Sequence, residues 1–157
     1  DARLVDDAVV EKKILDLVPE RVERHLDLGT GTGRVLELLA DRTEFGQGID
    51  MSHEMLSVAR ANLDARGLTH CQVRQADITQ PPFASESFDL VTVHQVLHYL
   101  ADPDRAILEG IVQDIAMLNS LGARVAVVVG SNEQVSAMCA RRSVPVEVVE
   151  VMEEEAE

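Results

Sequence analysis

Tryptophan is absent from this 157-residue chain, and aromatic side chains are scarce: one tyrosine, Tyr99, and three phenylalanines, Phe45, Phe83 and Phe88. A pocket in such a protein is walled by aliphatic side chains and main chain rather than by stacked rings. Cysteine is nearly missing too. Cys71 and Cys139 form neither a CxxC pair nor a metal-ligand spacing, so the pattern is one of isolated buried thiols in a reducing, cytoplasmic compartment, with no metal site. Long apolar runs are lacking: the strongest, Ala123 to Val129, is far too short to cross a bilayer. The opening DARLVDDAVV is acidic and has neither the basic start nor the apolar block of a secretion signal. Positive charge is in deficit, with 14 Lys and Arg against 28 Asp and Glu and a net charge of −14. That field repels phosphate backbones and anionic membranes, which argues against nucleic acid and membrane partners. No repeat, low-complexity linker or second domain interrupts the chain. The expectation is one domain over residues 1–157, burying roughly 70% of its unfolded surface.

What is there is an alternation of helical and extended signals, the pattern of a parallel sheet with helices on both faces. A helix over Asp7 to Leu17 stops before Pro19. Strands follow at Val22 to Leu28, Phe45 to Asp50, His70 to Gln75 and Phe88 to Val93. Between them, one helix starts at Gly33, and a second is capped by the Ser52 hydroxyl and closed by Gly67. Met55, Ala59 and Leu63 recur on one face of the second. The Asp102-Pro103 pair starts a further helix, ended by Gly122. Val125 to Val129 reads as a strand buried on both faces, Ser131 to Arg142 as a helix, and Val144 to Met152 as an edge strand of alternating character. Strand and helix joined in series make right-handed crossovers. The predicted architecture is therefore a doubly wound, Rossmann-like α/β fold of six parallel strands in the order 3-2-1-4-5-6.

The strongest local motif lies where the first strand ends: Asp27-Leu28-Gly29-Thr30-Gly31-Thr32-Gly33. Glycines there permit a tight turn and close approach of a ligand to the main chain, and the loop delivers helix N-terminal amides toward it. The dinucleotide fingerprint GxGxxG needs a third glycine at position 34 or 36, and those positions hold Arg34 and Leu36. Both registers fail, which disfavours an NAD-dependent oxidoreductase.

The loop instead reads (Asp)xGxGxG, which resembles motif I of the class I S-adenosylmethionine (SAM)-dependent methyltransferases. The resemblance extends from about Arg24 to Glu109. Asp50 closes the second strand, where a carboxylate can accept both ribose hydroxyls, and Met51 beside it is a candidate to pack on the adenine. Asp77, in QADI, matches the family's acidic residue at the adenine amino group, with the Ile78 amide next to it. The run DLVTVHQVLHYL, Asp89 to Leu100, is similar to the fourth-strand motif of small-molecule methyltransferases, including those joined to ArsR-type regulators. The resemblance thus implies SAM or S-adenosylhomocysteine held by Asp27, Gly29, Thr30, Gly31, Gly33, Asp50, Met51, Asp77, Ile78 and His94. From the residues alone, Asp50 also reads as a charge at a helix N-terminus, and Asp77 as a turn residue. His25 reads as a packed core histidine. His98 shares a helical face with His94 and is the candidate proton acceptor, although methyl transfer can also run on alignment alone.

Past Glu109 the resemblance ends. The stretch from Asp114 to Gly130 resembles one helix-strand unit of the amino acid kinase family, such as N-acetylglutamate synthase or kinase, without that family's phosphate loop. Gly110 falls inside the helix that crosses this junction, where glycine costs about 1 kcal/mol against alanine. Such a residue is odd in an optimised helix and natural at a seam, which keeps a recombined or engineered chimera with its junction near 110 open as a reading. Two function classes stay open: a SAM-dependent methyltransferase acting on a small molecule, and a SAM-binding module or chimera without turnover.

Overall fold

Helix and strand alternate in the computed structural model of the chain as they do along its sequence. It describes residues 2–78, 82–84, 87–94, 124–130 and 147–151. In order these are α1 (Ala2–Leu17), β1 (Val22–Leu28), α2 (Arg34–Leu39), a 3-10 turn (Ala40–Arg42), β2 (Thr43–Asp50), α3 (His53–Ala65), β3 (Cys71–Gln75), β4 (Leu90–His94), β5 (Arg124–Gly130) and β6 (Glu147–Val151). The expected helices over 102–122 and 131–142, with Gly110, Cys139 and the tail, lie outside the described residues.

The expected parallel α/β sheet is present. β1 pairs in parallel with β2 on one side and with β4 on the other, and β3 pairs in parallel with β2, giving the order β3-β2-β1-β4. Beyond β4 the backbone ladder runs on through β5, Val91 opposite Val125, and through β6, Val128 opposite Val149. The middle of β1 shows why a sheet of this kind needs helices on both faces. Leu26 and Leu28 point one way, His25 and Asp27 the other, and all four are buried.

One core cluster joins α1, β1, α2 and β4 through Ile14, Val18, Val22, Val35, Leu39 and Leu90. A second gathers Leu36, Ala40, Leu63 and Cys71 between α2, α3 and β3. Burial pushes the Cys71 thiol up to about 11, so it behaves as a small apolar residue.

Several boundaries differ from the sequence expectation for identifiable reasons. α1 begins at Ala2 rather than Asp7, since no helix breaker stands in ARLVD. β2 begins at Thr43 because Thr43 pairs with Val22, the first residue of β1. β4 begins at Leu90, because the Asp89 carboxylate turns aside to accept the Glu23 and Arg24 amides, at 3.1 and 2.6 Å. On α3 the buried stripe is Leu56, Ala59 and Leu63, with Met55 half-buried at its flank. The Ser52 hydroxyl does cap that helix, accepting from the Met55 amide at 3.3 Å.

Candidate functional site

Three glycines with left-handed backbone shape the turn after β1: Gly29 at φ 70°, Gly31 at 54° and Gly33 at 82°. L-residues with a Cβ avoid this region, so the repeated spacing GxGxG is a conformational requirement. The turn folds back on β2. The amides of Gly29 and Thr30 both donate to the Ile49 carbonyl, each at 2.9 Å. The Gly31 amide donates to Asp50 Oδ2 at 2.9 Å, and the Ser52 amide donates to Asp50 Oδ1 at 2.8 Å. One carboxylate therefore fastens the glycine turn to the start of α3. From α3, Asn62 Nδ2 donates to the Thr32 carbonyl at 3.1 Å.

The two sides of the turn differ sharply in the space they leave. A Cβ built on Gly31 meets nothing within 4 Å, so the outer side of the loop is open. Beneath it, a Cβ on Gly48 of β2 would stand 2.6 Å from Thr30 Oγ1 and 2.8 Å from Leu36 Cδ1. The loop and α2 sit so close to the sheet because β2 carries glycine there.

Under the turn lies a buried polar chain. Asp27 is 1% exposed, Thr92 1% and His25 0%. Thr92 Oγ1 donates to Asp27 Oδ1 at 2.6 Å, and His25 Nε2 stands 2.7 Å from the same hydroxyl. The parallel register of β1 and β4 sets Thr92 opposite Asp27. Burial pushes the Asp27 carboxyl up to about 6; the hydrogen bond from Thr92 works against that rise and the nearby Asp50 charge adds to it. Burial pushes His25 down to about 4, against the opposing pull of Asp89, so it is neutral at physiological pH.

The remaining expected site residues fall around the same carboxyl edge of the sheet. Met51, directly after β2, is 60% exposed, and its carbonyl accepts Gln75 Nε2 at 2.9 Å. The Ala76 amide donates to the Asp50 carbonyl at 3.1 Å, which brings the segment after β3 to the end of β2. Asp77 is exposed and Ile78 half-buried on that segment. His94 closes β4, its backbone opposite Val128. The candidate base His98 lies outside the described residues. Among the described residues, no group of three or more His, Cys, Asp or Glu could hold a metal ion.

Sequence reading missed Thr92 and Gly48. Gly48 follows Gly46 in an otherwise extended run, and paired glycines in a strand are a recognisable mark of close backbone approach. Thr92 carried no signal of its own, because its role depends on the β1–β4 register. His25 and Asp27, two residues apart on β1, share one face of the strand.

A family model described as a methyltransferase domain matches residues 26–111. The chain is 37% identical over 93 residues to a phosphatidylethanolamine N-methyltransferase of Cereibacter sphaeroides, covering 59% of this chain and 45% of that protein. It is 35% identical over 101 residues to a demethylmenaquinone methyltransferase of Thermus thermophilus, covering 62% and 46%. In structure it resembles the YcgJ protein of Bacillus subtilis with a TM-score of 0.62 at 23% identity, over 71% of this chain and 46% of that one, a likeness of fold. The chain thus spans about half the length of the relatives it matches.

Proposed function

This chain belongs to the methyltransferase-domain family, and on that footing we propose that its N-terminal half binds SAM and that the protein transfers the methyl group to a small molecule. The observation that carries the reading is the charge and shape of the crevice at the glycine turn. Two carboxylates, Asp27 beneath the turn and Asp50 beside it, flank a loop whose outer side is open. An anionic pyrophosphate is repelled by that pair, whereas SAM brings a sulfonium and an ammonium. The buried Asp27 carboxylate gains most from a cation, because burial is what disfavours its charge.

In this reading Asp50 accepts the ribose hydroxyls with the lone pairs left free by the Gly31 and Ser52 amides. Gly29, Thr30, Gly31 and Gly33 form the floor under the ligand, Met51 packs on the adenine, and Asp77 with the Ile78 amide meets its polar edge. The His94 backbone borders the methionine portion. SAM supplies an activated methyl group; the chain's part is to align the acceptor and exclude water. His98 is the proposed proton acceptor, acting where the nucleophile needs one.

Phosphatidylethanolamine and demethylmenaquinone, named for the two relatives, make a small-molecule acceptor the natural class. The acidic composition supports the absence of a nucleic acid partner, and no helix among the described residues is long and apolar enough to cross a membrane. A cytoplasmic location fits the cysteine usage. Transfer of radiolabelled methyl from SAM to any member of a small-molecule panel tests the enzymatic reading, and no product from the whole panel would contradict it.

The second reading is a SAM-binding module without turnover, which the same radiolabel assay separates from the first. The family match stops at residue 111, next to Gly110, where we place the proposed seam; the amino acid kinase likeness of the segment beyond it rests on sequence resemblance alone. We also propose that β5 and β6 complete a six-strand sheet in the order 3-2-1-4-5-6. A crystal structure with the final strand antiparallel, or unpaired from β5, would contradict that.

A further inference from the structure

Asp27 carries a charge that its surroundings disfavour, and two side chains without any assigned role stand behind it. A carboxylate has no proton to donate, so the 2.6 Å contact with Thr92 Oγ1 takes the hydroxyl proton of Thr92. The threonine oxygen is then an acceptor, and His25 Nε2, at 2.7 Å, is the donor that fills it. This fixes the direction of the whole chain: His25 Nε2–H to Thr92 Oγ1–H to Asp27 Oδ1. His25 Nδ1 is buried without a partner among the described residues. In the Nε2–H tautomer that orphan is a bare lone pair. Reversing the chain, with a protonated Asp27 donating to Thr92 and Thr92 to His25, would place an N–H at Nδ1 with no acceptor. Buried donors without partners are the rarer and costlier case. The histidine therefore biases the network toward an ionised Asp27 whose Oδ1 is occupied and whose orientation is set.

We propose that Thr92 and His25 are positioning residues that aim the Asp27 carboxylate and keep it charged for the ammonium group of the bound ligand. The inference rests on the SAM reading above and adds to it residues from outside the glycine turn. Among the described residues, the charged and titratable groups acting on this chain are few. Asp50 faces Asp27 from β2, Asp89 just before β4 acts on His25, and the groups contributed by β1 are Asp27 and His25 themselves. Asp50 and Asp27 are both acidic, and the hydrogen bond from Thr92, the larger of two side-chain contacts on the carboxylate (the other is from Thr30), opposes protonation of Asp27.

The test compares two ligands on the whole chain. S-adenosylhomocysteine carries the ammonium, whereas 5′-methylthioadenosine keeps the nucleoside and sulfur and lacks the amino-acid end. Thr92→Val is expected to weaken S-adenosylhomocysteine about tenfold or more at neutral pH, the usual worth of a hydrogen bond to a charged group, while leaving 5′-methylthioadenosine unchanged. The pH midpoint below which S-adenosylhomocysteine affinity falls should move upward in the same variant, since the carboxyl has lost the contact that favours its charge. Thr92→Ser, which keeps the hydroxyl, should restore both, and His25→Leu should shift the midpoint in the same direction as Thr92→Val. Equal weakening of both ligands, or an unmoved midpoint in Thr92→Val, would overturn the proposal. If neither ligand binds the unmutated chain, the SAM reading itself falls, and the proposal with it.

Discussion

Asp50 commits one carboxylate oxygen to the Gly31 amide and the other to the Ser52 amide, and this pre-alignment is what makes it a suitable acceptor for a pair of vicinal hydroxyls. Its replacement by alanine removes those acceptors and also the fastening of the turn. Asp50→Ala is expected to weaken S-adenosylhomocysteine about ten- to hundredfold, measured by titration. If His98 accepts a proton, His98→Ala removes one limb of the pH–rate profile while SAM affinity stays nearly intact. A profile identical to that of the unmutated protein would leave alignment as the mechanism. At this scale the sequence was most legible where backbone conformation restricts residue choice. Gly29, Gly31 and Gly33 all adopt positive φ, and Ser52 caps the helix it was expected to cap. Thr92 was illegible because nothing local to TVH says which strand lies beside it.

At the scale of elements, the close seat of α2 on β2 separates two glycines that look alike in sequence. Gly48→Ala forces a methyl group within 3 Å of Thr30 and Leu36 and is expected to destabilise the fold by roughly 1–3 kcal/mol. Gly31→Ala meets open space and should cost only about 1–2 kcal/mol for its left-handed backbone, its larger effect falling on ligand affinity. Denaturant unfolding of the two variants checks the contrast. The β1–β4 pair also carries a pH signature. Asp27 rises from the usual 3.8 to about 6 on folding, so its contribution to stability is present at acid pH and lost as pH rises through about 6. His25 falls from the usual 6.5 to about 4, so its contribution is present above 6.5 and lost as pH falls toward 4. The two slopes oppose each other between about pH 4 and 6. His25→Gln keeps a donor for Thr92 but removes the histidine slope. Relative to the unmutated chain it should gain about 3 kcal/mol between pH 7 and pH 4, and a pH-independent difference would contradict the burial argument. Element boundaries were the less legible part: the early start of β2 and the late start of β4 come from cross-strand pairing, which periodicity along one strand does not contain.

Across the whole molecule, the parallel α/β architecture was readable because helix and strand periods alternate from Asp7 to Val93 and because Val125 to Val129 is a continuous apolar run. The proposed ligand site was readable because it lies where β1 and β2 end, at residues whose types are dictated by backbone approach and charge. The net charge of −14 belongs to this scale too, since an acidic protein with two carboxylates at its glycine turn favours cationic ligands over phosphate-bearing ones in the proposed reading. The acceptor pocket was not legible, because no motif in the C-terminal third matches the methyltransferase pattern and the chain spans about half the length of its relatives. The central claim is that the first half of the chain is a SAM site. Isothermal titration calorimetry of the whole chain with S-adenosylhomocysteine tests it most directly. The account predicts saturable binding at one site, strongly weakened by Asp50→Ala, and no heat of binding with NAD. An absence of binding, or an Asp50→Ala curve that overlays the unmutated one, would contradict it.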